Sequence, residues 1–304
     1  MSTAVTTRAL PTVTPAPAPR LRWPGQSRRG WCLAGGLLAI ASFVGLWQFS
    51  VVDPRGRLAD QAAFLGADLG RARLEPVAHV VLDVVSARFL IVAMAVAVLV
   101  ALMRRQWGDA ARAVLVVVCA NLTAQILKAV IERPRGADLA ASGWENSLPS
   151  GHTTVAASVA AGALIVAPRS LRPLIALLGA GYAALTGIAT ISLGWHRPSD
   201  VLAAMAIVAA WTLLGLALSA ARTGARPGAP GRYLVGWLLG IGAVVGIAIG
   251  LVALSATLAV AGPVDSTAVV ELSSAALRVA FVGSCAGVAG GAALFAWALL
   301  LARR

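Results

Sequence analysis

Charged side chains are what this chain has least of: Asp, Glu, Lys and Arg together make up 12% of its 304 residues, about half the ~25% usual in a soluble domain. So little solvating surface excludes an ordinary water-soluble globule. Acids are the rarer sign, 12 against 25 bases, and Lys128 is the only lysine. Cysteine is confined to Cys32, Cys119 and Cys285. Their number is odd and each lies at or within an apolar run, so they are expected to pack and to form neither a disulfide framework nor a metal site. A basic stripe interleaved with aromatics is also missing. The net charge of +13 sits in short arginine clusters between apolar runs, which excludes a nucleic-acid footprint and fits membrane orientation and anionic headgroups.

What is present is apolar sequence, 59% of the chain with a mean hydropathy of +0.84. Runs long enough to cross a bilayer recur along its length. The spans are expected near Trp31–Val52, Arg88–Met103, Ala113–Ile131, His152–Ala167, Pro173–Leu193, Asp200–Ala221, Leu234–Ala261 and Val279–Leu301. The fold expected is all-α: a polytopic membrane bundle of about eight helices. Residues 1–30, rich in Pro, Ala and Thr and dotted with Arg, lack the apolar content to fold and read as a disordered tail. The VVDPRGR that follows the first run has no small-x-small cleavage pattern, so that run reads as an uncleaved anchor. Residues 53–87 are expected as an outer-surface segment. Residues 31–221 form a six-helix core, and 222–233 (RTGARPGAPGRY) are a linker to a final hairpin, 234–304, whose Gly and Ala favour close helix packing.

Orientation follows from charge. With the amino terminus inside, the inner segments hold Arg104, Arg105 and Arg112, then Arg169 and Arg172, Arg222, Arg226 and Arg232, and Arg303 with Arg304. Asp109 is the only acid among them, and the other eleven fall outside. This is the positive-inside pattern, with both termini cytoplasmic.

Three short outer segments concentrate the reactive side chains. LKAVIERPRG carries Lys128, Arg133 and Arg135; NSLPSGHTT carries Ser150, Gly151 and His152; SLGWHRPSD carries His196, Arg197 and Asp200. Two of the chain's three histidines and its only lysine are thus gathered at one face. Each piece suits an anion. Lys128 is a point charge, and the arginines are planar forks that pair two oxygens at once. Ser150 suits an N-cap and Gly151 lets a ligand approach the backbone, so free N–H groups and the positive end of the following helix face the anion. Pro198 suits the first position of a helix, and Asp200, four residues after His196, is placed to accept from the imidazole and fix its tautomer. Two His and an Asp would also suit zinc, but the neighbouring cations would repel a divalent ion, so neither metal nor cofactor is expected.

Basic cluster, PSGH and HxPSD in that order resemble the type 2 phosphatidic acid phosphatase superfamily, membrane lipid phosphatases related to vanadium haloperoxidases, over about residues 78–220. Its KxxxxxxRP motif falls on Lys128 and Arg135, with Gly136 in place of the proline and Arg133-Pro134 as a neighbouring pair. PSGH falls on Pro149–His152. SRxxxxxHxxxD falls on His196 and Asp200, with Ala189 and Thr190 in place of Ser-Arg. The resemblance implies a six-helix phosphatase-like core and a metal-independent reaction on a lipid phosphomonoester or pyrophosphate at the outer face. His196 would attack phosphorus to form a phosphohistidine, Asp200 would orient it, and His152 would protonate the leaving alkoxide. Lys128, Arg135, Ser150 and Gly151 would hold the phosphate, with Arg133 or Arg197 compensating for the arginine that Thr190 replaces. The implied partners are the bilayer and a phosphorylated lipid. A phosphotransferase using the same intermediate and a catalytically silent lipid-phosphate binder are the alternatives, the second motivated by Thr190 and Gly136.

Overall fold

A computed structural model describes residues 28–84, 87–132, 146–218, 231–261 and 272–303. The amino-terminal tail, Arg133, Arg135 and most of the linker fall outside these residues. Every regular element among the described residues is helical. Helix α1 (Arg28–Trp47) runs on through a wider π turn (Gln48–Val52). It is followed by α2 (Pro54–Asp68), α3 (Arg71–Val84), α4 (Ala87–Met103), α5 (Trp107–Val130), α6 (Gly151–Val166), α7 (Arg172–Ser192), α8 (Pro198–Ala217), α9 (Arg232–Ala261) and α10 (Ser274–Ala302). Among the described residues six segments are long and apolar enough to cross a membrane: Arg29–Val52, Trp107–Val130, Arg172–Ser192, Pro198–Ala217, Tyr233–Ala261 and Ser274–Ala302. Met94–Met103 and α6 are shorter apolar helices. The chain is a polytopic all-α bundle.

The segment after the first span is more ordered than its sequence announces. Asp53 caps α2, its carboxylate accepting from the Arg55 N–H at 2.9 Å, and Pro54 takes the first helical position, where its missing N–H costs nothing. Residues 54–84 therefore form two helices, α2 and α3. Ala62, Ala63 and Ala67 of α2 are fully buried, and a Cβ on Gly66 would lie 2.1 Å from the Leu277 carbonyl oxygen at the start of α10.

Helix α6 lies at the centre, packed by α4, α5, α7 and α8. Its Ala156, Ala157 and Ala161 have no exposed surface, so small side chains let four neighbours approach it. The terminal hairpin packs backbone to backbone: a Cβ on Gly290 of α10 would meet the Ile247 nitrogen of α9 at 2.6 Å, and one on Gly246 would meet the Ala286 carbonyl oxygen at 2.7 Å. The other side of α10 lies against α2, α7 and α8, with Val288 fully buried beside Gly187. The hairpin is thus a wall of the same bundle.

Its last turn is clasped. The Arg303 guanidinium donates to both oxygens of Asp109 at the start of α5, at 3.3 and 2.9 Å, and to the Ile165 carbonyl at the end of α6. Its own carbonyl accepts from Arg172 at the start of α7, at 2.8 Å. One buried arginine so joins four helix ends. We expect Arg303→Met, which keeps the stem and removes these bonds, to lower stability by about 1.5 to 3 kcal/mol. The thermal unfolding midpoint in detergent should fall, and an unchanged midpoint would show that the clasp adds nothing.

Candidate active site

At the opposite end from Arg303, the carboxyl ends of α5 and α7 meet the amino ends of α6 and α8. Local sequence fixes each of the four. Helix α5 stops just after Lys128, and Asn146 ties the returning chain to it: its amide donates to the Lys128 and Leu148 carbonyls at 3.3 and 3.2 Å, while its own oxygen accepts from the Leu148 N–H at 3.1 Å. The Leu148–Pro149 peptide is cis. Ser150 is the N-cap of α6, its hydroxyl oxygen accepting from the Thr153 N–H at 3.3 Å.

Helix α7 ends in a Schellman turn. The Trp195 N–H donates to the Thr190 carbonyl at 2.9 Å and the Gly194 N–H to the Ile191 carbonyl at 2.9 Å, with Gly194 at φ +70°. That backbone conformation is why a glycine stands here. Thr190 is wholly buried and its hydroxyl bonds back into α7 at the Gly187 carbonyl, at 2.8 Å. Helix α8 opens on Pro198, and the Asp200 carboxylate reaches back to the Arg197 N–H at 2.9 Å, as the acid of a capping box does.

Asp200 holds these ends together. It has no exposed surface. Its Oδ2 accepts from the Ser147 hydroxyl at 2.6 Å and the Arg197 N–H, and lies 3.4 Å from His196 Nδ1. Its main-chain carbonyl accepts the Ser150 N–H at 2.9 Å. His196 is itself 7% exposed, and with Nδ1 facing Asp200 the ring nitrogen not engaged there is Nε2. His152, one residue into α6, is exposed and lies within electrostatic range of His196 and Lys128. The Lys128 ammonium would be 3.7 Å from a Cβ on Gly151, so it stands over the bare start of α6 and also feels the Asp200 charge. Lys128, Ser150, Gly151, His152, His196 and Asp200, distant in sequence, are thus brought to one place. Arg133 and Arg135 belong to the undescribed residues that follow α5.

Arg197 is turned elsewhere. Its guanidinium donates to Gln61 Oε1 at 3.3 and 2.9 Å and stacks 5.1 Å over the Phe64 ring, both on α2. The next-but-one residue is gripped too: Asp60 accepts from the Ser199 N–H at 3.1 Å and from its hydroxyl at 2.5 Å. Helix α3 completes the rim. Trp195 lies between His152, with ring centroids 5.5 Å apart, and His79, at 6.3 Å, and Arg71 rests on Gly194. Sequence reasoning missed Asn146, Ser147, Asp60, Gln61, Phe64, Arg71 and His79. A polar Asp-Gln pair inside the otherwise small and apolar LADQAAFLG was the available signal for two of them.

Among the described residues no cluster of three or more His, Cys, Asp or Glu is placed to hold a metal ion. The arrangement offers a buried imidazole oriented by a carboxylate, a second imidazole at the mouth, one ammonium and a helix amino terminus. Together these can bind an oxyanion, attack it and protonate a leaving group.

Residues 109–224, a stretch from the first turn of α5 past the end of α8, match the sequence model of the PAP2 superfamily. No curated protein and no solved structure matches the chain.

Removing the Asp60 carboxylate should loosen the start of α8. We expect Asp60→Ala to cost about 1.5 to 3 kcal/mol through the two lost bonds to Ser199. Thermal unfolding is the test, and Asp60→Asn should recover part of the loss because its amide oxygen still accepts.

Proposed function

We propose that this membrane protein is a PAP2-superfamily enzyme that hydrolyses a phosphomonoester or pyrophosphate of a lipid at the outer face of the membrane, through a phosphohistidine. The observation that carries the reading is the meeting of His196, held by Asp200, with His152, Lys128 and the bare amino end of α6. His196 Nε2 attacks phosphorus, and Asp200 keeps the ring in the tautomer that leaves Nε2 its lone pair and then stabilises the imidazolium. His152 gives its proton to the departing oxygen. Lys128 and the first N–H groups of α6 hold the phosphate oxygens. Ser150 keeps that helix end capped and Gly151 keeps it open, while Arg133 and Arg135 add charge from the adjoining segment. Water then breaks the phosphorus–nitrogen bond, releasing phosphate and restoring His196. Arg197, engaged by Gln61 and Phe64, fixes the backbone beside the nucleophile. No step needs a metal.

The arginine-rich clasp around Arg303 lies at the opposite end of the bundle, which supports the assignment of the site to the outer face under the positive-inside pattern. Purified protein should release phosphate from at least one member of a panel of lipid phosphates with EDTA present. His196→Ala should abolish release from every substrate. His152→Ala should cost about 10²- to 10⁴-fold on lipid phosphates but far less on an aryl phosphate, whose leaving group needs no proton. An equal loss on both substrates would remove His152 from the role of acid, and phosphate release that EDTA stops would sink the metal-free mechanism.

A further inference from the structure

Arg71 lies outside the segment that matches the superfamily and in none of the three motifs, yet its guanidinium reaches the turn that delivers His196. A Cβ on Gly194 would lie 2.0 Å from Arg71 Nη2 and 2.9 Å from Cζ, so the cation rests on the bare glycine two residues before His196. Next along the chain, Trp195 stacks on His152. Helix α3 is held there by packing: Ala78 and Leu82 are buried against Ala189 and Leu193 of α7, with Trp195 alongside. Arg71 also pairs with Asp68 and remains partly open to solvent, and its Nε is buried without a hydrogen-bond acceptor among the described residues.

A transferring phosphoryl group spreads charge over three oxygens. In the described part of the site Lys128 is the cation at the start of α6, Thr190 is neutral and wholly buried, and Arg197 is engaged by α2. We infer that Arg71 is a substrate-binding residue of this site, its guanidinium pairing with phosphate oxygens from the α7–α8 side, opposite Lys128. The inference rests on the proposed function for its setting but concerns a residue that function does not require. Gly194 serves two ends in this arrangement, supplying the left-handed turn and leaving the guanidinium room. Asp68 competes with the substrate for Arg71 and holds the cation in place when the site is empty.

The test is steady-state kinetics on a lipid phosphate with Arg71→Gln, Arg71→Lys and Asp68→Asn. Arg71→Gln should lower kcat/KM about 10- to 100-fold, the worth of one charge-assisted contact, and Arg71→Lys should fall between it and the wild type. Asp68→Asn separates the roles: if Arg71 only anchors α3 through Asp68, this variant fails as badly as Arg71→Gln, and the inference is overturned. If Arg71 binds phosphate, Asp68→Asn keeps or raises activity. Full activity in Arg71→Gln also overturns it. Should Arg71→Gln not yield folded protein, Asp68→Asn decides alone by the same two outcomes. If wild type releases phosphate from no lipid, the proposed function has failed separately. Calorimetric binding of inorganic phosphate then tests Arg71: binding about tenfold weaker in Arg71→Gln supports the inference, while equal binding, or none by either protein, overturns it.

Discussion

The contact between the amino ends of α6 and α8, made through Asp200, is the constraint on which the active end of the bundle depends. A carboxylate with no exposed surface carries a desolvation cost of several kcal/mol unless donors surround it. Here Ser147, the Arg197 N–H and the His196 ring all address one of its oxygens, and its own backbone carbonyl takes the Ser150 N–H. The interaction therefore fixes two helix starts relative to each other and orients an imidazole in the same stroke. The small residues of α6, Ala156, Ala157 and Ala161, matter for the same reason. Larger side chains would push the packed neighbours of α6 outward, and any shift of α8 from α6 would cost Asp200 its bond to Ser150 before its contact with His196.

The second grip on α8 comes from the side away from α6. Asp60 holds Ser199 and Gln61 holds Arg197, so the four residues from Arg197 to Asp200 are fixed from both flanks. On the proposed function this helps His196, because alignment achieved in advance does not have to be created in the transition state. Arg197, beside His196, is turned toward α2 by the same arrangement. Its guanidinium ties α8 to α2, where Phe64 shields the pair.

Most of the membrane bundle was legible because hydropathy needs no partner: a run of apolar residues is a span wherever it packs. The Ser150 cap and the Pro198 helix start were legible because their chemistry is local. What stayed hidden depends on distance along the chain. Asp60 and Ser199 are separated by 139 residues, and nothing in either neighbourhood names the other. Helices α2 and α3 were hidden for a different reason: PRGRLADQAAFLGAD is too polar to read as a span and too irregular to show a clear apolar stripe. Only the Asp53-Pro54 cap marked its beginning. The glycines of the final hairpin announced close packing, but not that the other face of α10 would serve as a wall for α2, α7 and α8.

Helices α2 and α3 stand beside the start of a helix that is shorter than its neighbours. At 16 residues, α6 is about 24 Å long, shorter than the ~30 Å hydrocarbon core, whereas its neighbour α5 has 24 residues and spans about 36 Å. The far end of α6 is held by Arg303 at Ile165, and its amino end is met by Lys128 from α5 and by Asp200 from α8, whose carbonyl takes the Ser150 N–H. N–H groups at a helix start near lipid need polar partners or cover. Helices α2 and α3 cover one side of it, with Asp60 and Gln61 on Ser199 and Arg197, Arg71 on Gly194 and His79 beside Trp195. On the proposed function, a lipid phosphate meets His196 beside the start of α6 while its hydrocarbon chains stay in the bilayer.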